Sequence, residues 1–180
     1  MAKNTKKNEK TSLKREIIEW IVVVAVAVAL ALFIDLVLIV NAIVPTASME
    51  TTIMIGDRIV GNRLAYINED PERGDIVIFK FPDYEKELFI KRIIGLPGDT
   101  IEIIDGVVYI NGEILEEPYL HEKPVGSYGP ITVPEGAYFM LGDNRNNSAD
   151  SRFWNQPFVY KNKILGKAFV RYYPNPSKIE

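Results

Sequence analysis

Ser48 and Lys91 are the residues whose types and settings could do covalent chemistry. Ser48 follows Val44-Pro45-Thr46-Ala47, just beyond a long apolar stretch, and Lys91 sits in Phe89-Ile90-Lys91-Arg92-Ile93-Ile94, a strand-like run that is otherwise greasy. On a strand, Phe89, Lys91 and Ile93 share one face, so the amine is expected to be poorly solvated and its pKa lowered. An amine brought from about 10.4 toward about 8 can take the proton of a serine hydroxyl at ordinary pH. A hydroxyl nucleophile with a neutral amine as base is the equipment of acyl transfer, and next to a membrane segment it points to proteolysis at the membrane surface. Taken alone, Ser48 reads more readily as a turn or N-cap residue, and Lys91 equally well as a lysine that snorkels to solvent or pairs with a carboxylate.

The sequence limits the alternatives. It has no cysteine, which excludes a thiol nucleophile, disulfides and zinc–thiolate sites. Imidazole chemistry would depend on His121, in the charged, loop-like segment Tyr119–Pro124. The net charge of −3 offers no long-range attraction to nucleic acid.

The elements that must position the pair begin with the anchor. Ile17 to Ile34 is apolar apart from Glu19, with Trp20 near one end. As a helix it would rise roughly 27 Å, close to the ~30 Å hydrocarbon core. Lys3, Lys6, Lys7, Lys10, Lys14 and Arg15 precede it against the single acid Glu9. Such cationic flanks stay in the cytoplasm, which places the rest of the chain outside. A cleavable signal peptide is the competing reading, with small-x-small sites ending at Ala42 or Ala47, but its apolar core would run only about 7–15 residues. After Asp35, the β-branched stretch Leu36–Val44 is expected to form a buried strand leading to Ser48.

Beyond residue 53 the pattern is that of short strands. Asp75–Phe81 and Leu88–Ile94 are bounded by Gly and Pro, and Ile101–Ile104, Val107–Ile110 and Glu113–Leu115 are joined by Asp105-Gly106 and Asn111-Gly112, both hairpin signals. Further strands are expected at Ala137–Leu141 and Lys167–Tyr173. The predicted layout is a basic tail (1–16), a transmembrane helix (17–34) and a mainly β, barrel-like extracytoplasmic domain (35–180). Residues 116–135 are expected to be an insertion loop or small subdomain. From Asp143 to Arg152 there is no hydrophobe larger than alanine, and the alternation of charge and amide suggests an ordered hydrogen-bond network.

Four segments resemble bacterial type I signal peptidases, membrane-bound Ser/Lys proteases: Ser48-Met49 with Thr52-Ile53, Gly56–Val60, Lys91–Asp99 and Gly142–Arg152. The resemblance covers essentially the whole chain. It implies that Ser48 is the nucleophile and Lys91 the general base, that Ser148 orients the lysine amine, and that Thr46 with the Ser48 N–H forms the oxyanion hole. It further implies that Asp143 with Arg92 and Asp150 with Arg152 are structural ion pairs, that no metal or cofactor is needed, and that the substrates are secretory preproteins cut after small-x-small motifs. Met49 and Ile53 are candidates for contact with substrate. The chain departs from the family pattern at Thr51, where proline is usual, and at Asn155, where glycine is common. Two other readings fit parts of the pattern: a self-cleaving Ser/Lys protease of the repressor type, which would carry a DNA-binding domain, and a non-catalytic membrane-tethered module that binds signal peptides.

Overall fold

The computed structural model describes residues 2–179, and the chain divides at residue 38 into two compact units. The first unit is the helix α1 (Ala2–Phe33), prolonged by a π-helical turn over Ile34–Leu38. The span Leu13–Leu38 has a mean hydropathy of 3.1, long and apolar enough to cross a membrane. The helix therefore continues through the basic segment that precedes the apolar run. The expected strand over Leu36–Val44 is shorter than its β-branched composition suggested. Residues 36–38 belong to the helical end, because a continuous apolar run carries no periodicity that marks where helix gives way to strand.

The second unit is mainly β. Strands β1 (Ile39–Ile43), β2 (Arg58–Asn62), β3 (Ile76–Lys80), β4 (Leu88–Gly95), β5 (Thr100–Ile104), β6 (Val107–Ile110) and β7 (Glu113–Ile114) are followed by β8 (Tyr128–Thr132), β9 (Ala137–Leu141), β10 (Phe158–Tyr160), β11 (Ile164–Tyr173) and β12 (Ser177–Lys178). One antiparallel sheet runs β1-β2-β11-β3-β4-β9-β10, with β12 beside β11, and forms a half-barrel. Three register shifts in the pairings of β11 and one in the pairing of β4 with β9 supply the local kinks that bend such a sheet. A smaller sheet runs β7-β6-β5-β8. Both of its expected hairpins form: Asp105 and Asn111 have φ of 48° and 53°, each followed by a positive-φ glycine, as a two-residue turn demands. Within the stretch 116–135, Tyr128–Thr132 pairs with β5 as an edge strand of the smaller sheet.

β3, β9 and the second half of β4 are buried on both faces. Ile76 and Ile78 of β3 pack with Val40, Met49, Ile53 and Ile59, while Val77 and Phe79 pack with Ile93, Tyr138, Met140 and Trp154. Phe139 and Leu141 of β9 face a third cluster, shared with Ile101, Ile103 and Val108 of the small sheet. Such two-sided burial makes β3, β4 and β9 the rigid frame of the unit.

Candidate active site

Ser48 is set at the start of the turn that joins β1 to β2. The ends of that turn are closed by Val44 N donating to Asp57 O (3.0 Å) and Gly56 N donating to Val44 O (2.8 Å). Inside it, Ile53 N donates to Met49 O (2.8 Å) and Met54 N donates to an Asp57 carboxylate oxygen (2.9 Å). Lys91 lies in β4, in register with Val77 of β3. The two side chains meet: Lys91 Nζ is 2.6 Å from Ser48 Oγ and also donates to Ile90 O at 3.1 Å. Both residues are buried, Ser48 at 7% and Lys91 at 3% exposure.

Burial governs the chemistry of the amine. Desolvation lowers the Lys91 pKa from its ordinary value to about 8, against the opposing pull of Asp150 and Asp143. Each of those carboxylates is itself paired with an arginine. Asp143 accepts from Arg92 Nε (2.9 Å) and Nη2 (2.7 Å), and Asp150 accepts from Arg152 Nε (2.8 Å) and Nη2 (2.9 Å). The Phe89 ring, centred 5.3 Å from Nζ, supplies an apolar wall on the same strand face.

A cleft of about 580 Å³ opens onto the pair. Its walls are the end of β1 and the following residues (41–46), the first half of β4 (88–91), and Asn147 and Ala149 of the β9–β10 loop, with Ser48 and Met49 between them. β1 is the terminal strand of its sheet, and β4 pairs with β9 only from Arg92 onward.

The remaining expected site residues divide. Thr46 Oγ1 is 3.4 Å from Ser48 Oγ, and both ion pairs, Asp143 with Arg92 and Asp150 with Arg152, are formed. Ser148 is buried beside the pair, but its Oγ has no hydrogen-bond partner. The expected bond to the lysine amine is not made, because Nζ is directed at Ser48 Oγ and Ile90 O. Met49 borders the cleft. Ile53 does not line it and packs in the core with Met49, Val40 and Ile59.

Glu117 and Tyr119 belong to no motif of the sequence, and Thr52 is in the nucleophile segment without an expected role. Thr52 donates to Asp143 at 2.6 Å, and Glu117 and Tyr119 reach the same region from the loop after β7. Leu88 and Ile90 were legible in principle, since a strand that brings Lys91 to a cleft must bring its preceding residues as well.

A serine hydroxyl against a buried, weakly basic amine, beside an apolar cleft with strand walls, defines a hydrolase-like site. Residues 17–173 match the family model described as signal peptidase, peptidase S26. The chain is 49% identical over 138 residues to a probable signal peptidase I-2 of Synechocystis sp., covering 74% of this chain and 62% of that protein. It is 37% identical over 175 residues to signal peptidase I of Bacillus licheniformis, covering 91% and 92%. A crystal structure of a signal peptidase I from Enterococcus faecalis superposes with a TM-score of 0.49 at 38% identity, covering 55% of this chain and 97% of that one. The chain belongs to the signal peptidase family, peptidase S26.

Proposed function

We propose that this chain is a membrane-anchored serine endopeptidase that removes signal peptides from secreted preproteins by a Ser48/Lys91 dyad. The observation that carries the reading is the 2.6 Å approach of Lys91 Nζ to Ser48 Oγ in a buried setting that favours the neutral amine. Neutral Lys91 accepts the hydroxyl proton as Ser48 Oγ attacks the scissile carbonyl. The resulting ammonium then protonates the departing amine, and water, activated by the same lysine, hydrolyses the acyl-enzyme. The Ser48 N–H and the Thr46 hydroxyl supply the oxyanion donors, each worth about 3–4 kcal/mol in comparable sites. In this reading the buried Ser148 hydroxyl, which bonds no other group of the protein, is the group that receives the lysine amine when Ser48 is acylated.

The cleft supports an extended substrate laid between β1 and the first half of β4, where main-chain bonds give affinity and side pockets give selection. The walls offered by Ala42, Ile43, Ile90 and Ala149 are apolar and suit small residues on either side of an outward-pointing one. The apolar helix supports a membrane shared by enzyme and preprotein, and its cationic flank favours a cytoplasmic N-terminus with the β unit outside.

The test is cleavage of a labelled preprotein by the full-length protein in detergent, with Ser48→Ala and Lys91→Ala beside wild type. Wild type should cut after a small-x-small site, and each variant should lose about 10⁴-fold or more in kcat. Turnover retained in either variant removes the dyad. Folded wild type that binds the preprotein without cutting it marks a non-catalytic module.

A further inference from the structure

The loop between β7 and β8 reaches the site through two residues. Glu117, with a side chain 6% exposed, receives both terminal nitrogens of Arg145, which is 2% exposed: Nη1 at 2.8 Å and Nη2 in a still shorter bond. The Tyr119 hydroxyl donates to the same carboxylate at 2.7 Å. From there two paths run inward. Arg145 Nε donates to Gly142 O at 3.1 Å, and Gly142 is pressed on the nucleophile: a Cβ added to it would lie 2.3 Å from both Ser48 O and Ser148 Oγ. The Tyr119 ring, centred 3.9 Å from the Arg92 guanidinium carbon, backs the arginine adjacent to Lys91 in sequence.

The charges around this cluster balance only when Glu117 is counted. Arg92, Arg145 and Arg152 face Asp143, Asp150 and Glu117, and all six side chains are nearly buried. Without Glu117, Arg145 would be a buried cation with no carboxylate of its own, free to draw on Asp150 and to pull the Gly142–Ser148 segment with it.

We propose that Glu117, assisted by Tyr119, is a positioning residue for the reaction, holding the Gly142–Ser148 wall against Ser48 through Arg145 and keeping the buried charge cluster beside Lys91 neutral. This rests on the Ser48/Lys91 reading above. The titratable groups acting on Lys91 are Asp150 and Asp143, with the three arginines behind them. Removing the Glu117 charge leaves one excess positive charge, which disfavours the ammonium. The acid limb of the pH–rate profile therefore moves to lower pH.

The experiment is steady-state cleavage by the full-length chain from pH 6 to 10 for wild type, Lys91→Ala, Glu117→Gln, Glu117→Asp and Tyr119→Phe, with rates corrected for folded fraction. Glu117→Gln should lower plateau kcat roughly tenfold to a hundredfold, leave KM within about twofold, and move the acid limb to lower pH. Glu117→Asp should return the limb to its wild-type position, and Tyr119→Phe should lower kcat a few-fold without moving it. Wild-type kcat and an unmoved limb in Glu117→Gln, or a loss confined to stability, overturn the proposal while an inactive Lys91→Ala leaves the dyad standing. If Glu117→Gln does not fold, wild-type kcat in both Glu117→Asp and Tyr119→Phe overturns it. Turnover by Lys91→Ala removes the dyad, and the proposal with it.

Discussion

Replacing Lys91 by methionine should raise stability at neutral pH while abolishing turnover. The lysine is 3% exposed and its pKa is lowered from 10.5 to about 8, so below pH 8 the folded protein holds an ammonium where it would rather hold an amine. At 1.36 kcal/mol per unit, that difference costs the native state about 3 kcal/mol at pH 7. The sign follows from the order of the two values. Between about 8 and 10.5 the unfolded chain binds more protons than the folded one, so the contribution to stability rises with pH, and at pH 10 only about 1 kcal/mol of the cost remains. Methionine matches the length, carries no charge, and forfeits the bonds to Ser48 Oγ and Ile90 O, about 1 kcal/mol each. The variant should therefore be more stable than wild type by about 1 kcal/mol at pH 7 and less stable by a similar amount at pH 10. Guanidinium unfolding of the full-length proteins in non-ionic detergent, followed by tryptophan fluorescence, reads both differences. A gap between variant and wild type that stays constant from pH 7 to pH 10 would refute the claim that Lys91 is held against its own solvation.

Two further outcomes follow from the same geometry. With Lys91 titrating near 8, kcat/KM should rise about tenfold from pH 7 to pH 9, as the neutral fraction grows from about a tenth to about nine-tenths; a flat profile over that range would exclude the amine as base. Gly142→Ala should lower kcat about 10²-fold, because the new methyl would sit 2.3 Å from both Ser48 O and Ser148 Oγ and must push the nucleophile's backbone aside; wild-type kcat in that variant would show that this wall does not set the geometry of Ser48.

What the sequence disclosed depended on whether the signal was local. Asp105-Gly106 and Asn111-Gly112 determine their turns through two adjacent residues, and both hairpins lie where those dipeptides place them. Lys91 announced itself because a cation in a greasy strand violates a local rule; Asp143, Asp150 and Arg152 lie in a segment dense with charge, and Arg92 is next to Lys91. By contrast β8, β10 and β12 are short and have no clean alternation, so only their partners define them. The unmade Ser148 bond is a matter of where a lysine amine points, which no pattern encodes. Glu117 was hidden for a different reason, since it is an ordinary acid in a proline-bounded loop. Its pairing with Arg145 spans 28 residues, and no local pattern marks a contact of that range.

Thr51 sharpens the question of what holds the nucleophile in place. A proline there would fix one φ angle, an effect that acts chiefly by restricting the unfolded chain and is worth about 1 kcal/mol or less. In this protein Thr51 is exposed, and the turn around it is held by bonds from its neighbours. Asp57 receives Met54 N and is itself fixed by Arg171 of β11 at 3.0 Å, whose other nitrogens bond Asn175 O and Ser177 Oγ. Asp143 binds Thr52, four residues after Ser48, and with the same carboxylate binds Arg92, next to Lys91. One buried carboxylate thus ties the turn of the nucleophile to the strand of the base, and the distance between Ser48 and Lys91 is set by that tie and by the core beneath it. A proline stiffens a turn without saying where it lies relative to β4, whereas the Thr52–Asp143–Arg92 link does. The loss of the one is therefore compatible with a 2.6 Å approach that depends on the other.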